Sequence, residues 1–285
     1  MQTSKRNSGV SVSYALITGG SRGIGYGIAE ALAKRGYNLI LLARHADMLL
    51  TAKNNLQSTY HVHVEVLVND LSREESADEI SQWCINRKIP LKLLCNVAGI
   101  GGAEDYLLAS GDAMRYMVKL NVECCMTLTL LLLPLLEKNT PSYILNVSSM
   151  AGFVPIPIKN MYAATKSAII FFSYSLRYQL KEKNVSVSCL APGPVYTRPD
   201  IVKETKVQLG WLADKIAVKP KRVGEIAVRN TLRKRMIIIP GTLAKFISIL
   251  LRILPKRAIL AFYGRSRNNP MSSGSVTPRQ IRILF

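Results

Sequence analysis

Tyr14-Ala15-Leu16-Ile17-Thr18-Gly19-Gly20-Ser21-Arg22-Gly23-Ile24-Gly25 is the stretch on which the fold turns. Tyr14 to Thr18 is a short apolar run that ends at two glycines, and from Ile24 to Arg35 apolar residues recur at helical spacing until Gly36 stops them. Strand, glycine turn and helix therefore follow one another without a break. Such a junction aims the unpaired N–H groups and positive dipole end of a helix at the carboxyl end of a strand, where they can hold phosphate.

The same alternation continues outward from this unit. Strands are expected at Asn38 to Ala43, Val62 to Val68, Leu91 to Asn96, Ser142 to Ser148 and Val185 to Ala191, with helices near Ala46 to Thr59, Ser72 to Asn86, Asp112 to Glu137 and Met161 to Lys183. Strands that alternate with helices pair in parallel, and right-handed crossovers give a doubly wound α/β sheet whose ligands sit at the carboxyl ends of the strands. After Val185 to Ala191 the pattern predicts a helix from Arg222 to Arg235 and a short strand at Met236 to Ile239. A chain of 285 residues, 48% hydrophobic, suffices for a single domain. We place a flexible N-terminus at 1–13, the domain at 14–242, an apolar and basic amphipathic helical extension at 243–264, and a flexible tail at 265–285.

Composition narrows the function classes. The five cysteines lie at neither metal-ligand nor disulfide-framework spacing, so no metal site is expected and the thiols read as reduced core residues of a cytoplasmic protein. No apolar leader precedes the first strand, which argues against export, and the longest apolar run, Met126 to Leu136, is short for a membrane span. The net charge of +20 is concentrated at the carboxyl end, where residues 198–285 hold 19 Lys/Arg against 4 Asp/Glu. That excess attracts phosphate groups or an anionic membrane surface. No aromatic residues interleave it in the manner of a nucleic-acid surface, and no nucleic-acid partner is expected.

Tyr162 and Lys166, four apart in a helical segment, share one face, and Ser149 ends the preceding strand 13 positions before Tyr162. Together with Asn121 in the long helix and the spacing T-G-x-x-x-G-x-G at Thr18 to Gly25, these residues make the chain resemble the short-chain dehydrogenase/reductase family from about Tyr14 to Thr197. The resemblance implies a Rossmann-type enzyme with a Ser149-Tyr162-Lys166-Asn121 site. Tyr162 would pass a proton to the oxygen of a carbonyl as hydride reaches its carbon, and Ser149 would hold and polarise that oxygen. Lys166, with the positive nicotinamide ring of the oxidised cofactor, would lower the phenol from its ordinary value near 10; it would also bind the nicotinamide ribose, and Asn121 would order a water in the proton relay. Ser148 is the local rival for the serine role.

The second strand ends in Ala43-Arg44 and not in an acid, so Arg44, with Ser21 and Arg22, suits a 2′-phosphate and favours NADPH over NADH. By the same resemblance the cofactor set comprises Gly19, Ser21, Arg22, Gly23, Ile24, Gly25, Arg44, Asp70, Leu71, Asn96, Ala98, Gly99, Tyr162, Lys166, Pro192, Gly193, Val195 and Thr197. Asp70 would reach the adenine amino group or cap the next helix, a task for which Ser72 is the better candidate. Asn96-Val97-Ala98-Gly99 departs from the family's N-N-A-G at Val97, and Pro192-Gly193-Pro194-Val195-Tyr196-Thr197 matches its P-G-x-x-x-T turn.

The apolar loop Met150 to Lys159 points to a lipophilic substrate, or else to core or subunit packing, and the polar stretch from Thr197 to Lys221, with Trp211 and Leu212, suits a lid. Leu243 to Phe262 is either a membrane-surface hairpin or a cover for the cleft or a partner subunit. The reading that results is NADPH-dependent reduction of a lipophilic ketone or 3-oxoacyl thioester. NADP-dependent oxidation of a lipophilic or steroid-like alcohol is the alternative, and an idle nucleotide-binding or membrane-surface protein the alternative of another class. A homodimer or homotetramer joined through the helices at 112–137 and 161–183 is implied by resemblance only.

Overall fold

The structure, a computed structural model, describes residues 13–101, 106, 109–197 and 217–267. Seven strands form one parallel sheet: β1 (Tyr14–Thr18), β2 (Asn38–Ala43), β3 (Val64–Val68), β4 (Leu91–Asn96), β5 (Ser142–Val147), β6 (Val185–Leu190) and β7 (Ile237–Ile238). Their spatial order is β3-β2-β1-β4-β5-β6-β7. The direction of winding reverses between β1 and β4, so a crevice opens at the carboxyl ends of those two strands.

Burial of both faces explains the near-continuous apolar strands. Leu39 and Leu41 of β2 point into one core, shared with Ile28 and Leu32 of α1 (Gly23–Ala33) and Leu49 and Leu56 of α2 (Ala46–Tyr60). Ile40 and Leu42, alternating with them, enter the opposite core beside Ile80 and Cys84 of α3 (Ser76–Asn86).

The long helix predicted at 112–137 spans Gly111–Lys138 in three pieces: α4 (Gly111–Val118), a π-helical segment at Lys119–Glu123, and α5 (Cys124–Lys138). By length and composition alone this run could cross a membrane. In the fold its Leu120, Cys124, Leu128, Leu132 and Leu136 are packed onto the sheet. Such π-segments gather at functional sites, and this one carries Asn121.

Next along the chain is α6 (Asn160–Gln179), shorter at its end than expected because Lys181–Lys183 form a separate 3₁₀ turn. The helix α7 (Pro220–Leu232) crosses α1 with almost no space between the backbones. A Cβ on Gly224 would lie 2.1 Å from the Gly27 carbonyl, and one on Gly27 would lie 2.4 Å from that of Pro220. At the carboxyl end the single expected apolar segment is two helices, α8 (Thr242–Ile253) and α9 (Lys256–Arg267), parted at Pro255. The expected flexible ends lie almost wholly outside the described residues, as do Trp211, Leu212 and most of the expected lid.

Candidate active site

The glycine turn closes because each of its glycines occupies a place that a side chain would disturb. Gly19 and Gly23 adopt φ of 66° and 58°, and a Cβ on Gly25 would lie 2.1 Å from the Gly19 carbonyl oxygen. Thr18 secures the neighbouring strand: its hydroxyl oxygen accepts the backbone N–H groups of Val97 (2.8 Å) and Ala98 (2.9 Å) and donates to the Cys95 carbonyl (3.4 Å). Arg22, the residue before α1, makes no side-chain cap to the first helical turn. The opposite wall is Thr197, whose methyl carbon would lie 3.3 Å from a Cβ on Gly23. A dinucleotide fits this cradle: glycines for close backbone approach, uncapped N–H donors for a pyrophosphate, and the exposed cation of Arg22 at the rim.

Arg44 is not a loosely solvated loop residue. Its guanidinium donates to the phenol oxygen of Tyr116 on α4, and burial together with the nearby Asp70 carboxylate pushes that phenol up while Arg44 opposes them. Arg44, Tyr116 and Asp70 thus converge at the ends of β2 and β3. The Asp70 carboxylate also accepts from the Ser72 backbone N–H (3.0 Å) and hydroxyl (2.8 Å). Ser72 is therefore part of a turn and no cap, and α3 starts at Ser76. Leu71 is buried in the core, which leaves only its backbone for a ligand.

Asn96 is also turned inward. Its amide donates to Thr129 Oγ1 and Asn146 Oδ1, both at 2.9 Å, and Asn146 donates on to Ser173 (3.0 Å). This network ties β4 and β5 to α5 and α6 beneath the site, so a direct side-chain contact from Asn96 to a nucleotide is not what the geometry offers. Ala98 lines the glycine turn. A Cβ on Gly99 would lie 2.9 Å from Asn121 Oδ1 and 3.2 Å from Lys166 Nζ.

Ser149, Tyr162, Lys166 and Asn121 come together at the carboxyl end of β5. Ser149 opens the 3₁₀ turn Met150–Phe153, accepts from the Ala151 N–H (3.2 Å), and hydrogen-bonds the Tyr162 phenol. Its rival Ser148 is fully engaged elsewhere, donating to the Lys166 carbonyl at 2.6 Å. Lys166 is buried, with Nζ 3.1 Å from the Val147 carbonyl and 5.8 Å from the centre of the Tyr162 ring. Asn121 clasps the loop after β4: Oδ1 accepts from Ile100 N–H (2.8 Å), and Nδ2 donates to the Ile100 carbonyl (2.9 Å) and to Thr165 Oγ1 (3.1 Å). Both amide protons are thereby engaged, so the side chain fastens the loop and presents no spare donor to a water.

The protein's own groups, without the nicotinamide ring, do not lower the phenol. Burial pushes Tyr162 above its ordinary value, with the Ser149 hydroxyl working the other way, and burial takes Lys166 down to about 8. The ammonium is held against the Val147 carbonyl, not against the phenol, and so does little to stabilise a phenolate here.

The loop after β6 closes the arrangement. The Pro192 carbonyl accepts from Met150 N–H (3.0 Å), Val195 is buried and pairs with Val218, and Thr197 N–H donates to the Val195 carbonyl (2.8 Å). Pro192, Gly193, Val195 and Thr197 accordingly lie between the glycine turn and Ser149. Three contributors escaped the sequence reading. Thr18 had a signal, as the Thr of T-G-x-x-x-G-x-G; Thr165, whose hydroxyl joins Asn121 to the Tyr162 carbonyl (2.8 Å), and Tyr116 had none.

Known proteins are similar to this chain in sequence and in fold. The mouse very-long-chain 3-oxoacyl-CoA reductase is 32% identical over 188 residues, 65% of this chain and 60% of that protein. The chain thus spans about 60% of the length of the relatives it matches. The L-sorbose reductase of Gluconobacter frateurii, solved with NADPH and L-sorbose, superposes with a TM-score of 0.73 at 25% identity, over 82% of this chain and 96% of that one. An alcohol dehydrogenase of Thermococcus sibiricus, solved with 5-hydroxy-NADP, gives 0.68 at 27% identity, over 80% of this chain and 96% of the other. The short chain dehydrogenase family model matches residues 13–207, the stretch that holds the glycine turn, Asn121, Ser149, Tyr162 and Lys166, and with that match the chain belongs to the short-chain dehydrogenase family.

Proposed function

We propose that the protein reduces a lipophilic ketone or 3-oxoacyl thioester to the alcohol with NADPH. The observation that carries the reading is the convergence of Ser149, Tyr162, Lys166 and Asn121 at the end of β5, facing the glycine turn. The glycine turn, Arg22, Arg44, Asp70, Lys166, Val195 and Thr197 would hold the dinucleotide, which when bound supplies a hydride. Arg44 and Arg22 suit the 2′-phosphate that NADH lacks. The Ser149 hydroxyl fixes the carbonyl oxygen, and the Tyr162 hydroxyl gives that oxygen its proton.

For reduction the Tyr162 phenol, pushed up by burial, starts with its proton in place; oxidation of the alcohol would run through the same groups in reverse, and the ratio of reduced to oxidised cofactor sets the direction. For the substrate, a small cavity of about 20 Å³ beside Tyr162 is lined by Met114, Met117 and Met161, side chains that adapt to an apolar group, and by Lys159. The basic carboxyl end would attract the phosphate groups of a CoA or phosphopantetheine thioester. Exposed Leu130, Phe171 and Tyr178 on α5 and α6 suit a homo-oligomer, and the five free cysteines suit a reducing, cytoplasmic setting.

The test is NADPH oxidation followed at its absorbance band with a panel of lipophilic ketones and 3-oxoacyl thioesters. Tyr162→Phe should cost about 10²- to 10⁴-fold in kcat and leave NADPH affinity unchanged. Equal turnover by both proteins would remove Tyr162 from the chemistry and with it this mechanism.

A further inference from the structure

Helix α8 has two faces that ask for different surroundings. Ala244 and Ser248 are buried against the body of the protein. On the opposite side Leu243, Phe246, Ile249, Leu250 and Ile253 follow one another at spacings of three, three, one and three residues, so they form a single stripe along the helix. All five are exposed, Phe246 to 68% and Ile253 to 76%. Leu254 and, on α9, Leu260 extend the patch. Large side chains in a contiguous exposed stripe mark a surface meant to be covered.

Charge decides what covers it. Lys245 and Arg252 border the stripe along one edge of α8, and Lys256 and Arg257 follow at the start of α9, all four exposed. From Ile226 to Phe285 the chain carries 12 Lys/Arg and not one Asp or Glu. A second copy docked through this stripe would bring the exposed Lys245, Arg252, Lys256 and Arg257 of two chains together, with no acidic residue on either helix to offset them. An anionic bilayer surface answers both features, since it takes the apolar stripe into its acyl boundary and attracts each cation near its headgroups.

We propose that α8 and α9 form a docking surface for an anionic lipid bilayer, and that docking sets the mouth of the catalytic cleft on the membrane. The second half rests on the ketoreductase reading; the first does not. The link between them is Arg252, whose guanidinium lies 4.1 Å over the Phe153 ring. Phe153 ends the 3₁₀ turn that Ser149 opens, and Gly152 in that turn lies against the Lys166 backbone, where a Cβ would come within 2.7 Å. The docking helix therefore abuts the rim of the site, and a substrate dissolved in the bilayer reaches Ser149 and Tyr162 without crossing water.

The experiment uses the full chain and vesicles of phosphatidylcholine, alone or with about 30% phosphatidylglycerol. Sedimentation with the anionic vesicles is expected, weakening with salt, and little with the neutral ones. The exposed-face variant Phe246→Ser/Ile253→Ser should lose at least about tenfold in vesicle affinity. The charge variant Lys245→Glu/Lys256→Glu should lose the preference for anionic lipid. Both should melt like the wild type and reduce a water-soluble ketone at its rate, while losing the acceleration that vesicles give the wild type on a membrane-dissolved ketone.

Failure of the wild-type chain to bind anionic vesicles overturns the docking. So does a dimer that the Phe246/Ile253 variant dissolves, since the stripe would then be a subunit interface. Vesicle binding without turnover on any ketone leaves the docking standing and counts against the enzymatic reading alone.

Discussion

Replacing Lys166 by Met should make the protein more stable while abolishing its activity. Burial lowers the Lys166 amine from 10.5 to about 8. At about 1.4 kcal/mol for each tenfold change in proton affinity, holding the ammonium in this site costs the folded chain about 3 kcal/mol at pH 7. Met fills a similar volume without charge. It forfeits the bond from Nζ to the Val147 carbonyl, worth about 1 kcal/mol, so the net gain is about 2 kcal/mol.

The pH dependence gives this prediction its edge. Between pH 8 and 10.5 the unfolded chain holds a proton on Lys166 that the folded chain has released, so the stability of the wild type climbs through that window and the variant lacks the climb. The advantage of Lys166→Met should be full at and below pH 7, shrink from pH 8 upward, and reverse to a deficit of about 1 kcal/mol near pH 10.5, where only the lost hydrogen bond remains. Urea unfolding of the ligand-free protein at pH 7, 8.5 and 10, with NADPH turnover in parallel, measures both properties. A variant less stable than the wild type by a constant amount at every pH would refute the claim that a desolvated ammonium is stored in the site.

Two further substitutions probe the frame and the nucleotide pocket. Gly224→Ala places a Cβ 2.1 Å from the backbone of Gly27, which must force α1 and α7 apart; a loss of about 3 kcal/mol, read as a lower thermal midpoint, is expected, and an unchanged midpoint would mean that the two helices do not touch there. Arg44→Ala removes the cation that Tyr116 holds at the end of β2, and should weaken NADPH binding about 10- to 100-fold in a fluorescence titration while leaving NADH unchanged. Equal losses for the two nucleotides would assign Arg44 to something other than the 2′-phosphate.

How much was legible in the sequence depends on the distance over which each feature is decided. Strands such as Asn38–Ala43 announce themselves because both faces of the sheet are covered and every residue in the middle is apolar. The groups of the candidate site were equally visible, since Ser149, Tyr162 and Lys166 lie within one strand-to-helix passage and Thr18 to Gly25 within one turn. What escaped was settled by partners far along the chain: Tyr116 for Arg44, and Gly27 for Gly224, 197 positions away, where no local pattern foretells a contact. Ser72 was misread for a smaller reason, because the Asp70 carboxylate takes its N–H and delays the helix to Ser76.

The state of Tyr162 and Lys166 belongs to the same class of hidden facts. Residue types alone suggest a lysine that lowers a tyrosine. Burial instead moves both toward neutrality, the phenol up and the amine down, because each loses the water that would stabilise its charged form. Only Ser149 works against this on the phenol. Burial alone therefore favours the neutral form of both groups, an amine whose charge the fold tolerates at a cost and a phenol that holds its proton, and that bias comes from packing, which the order of residues does not reveal.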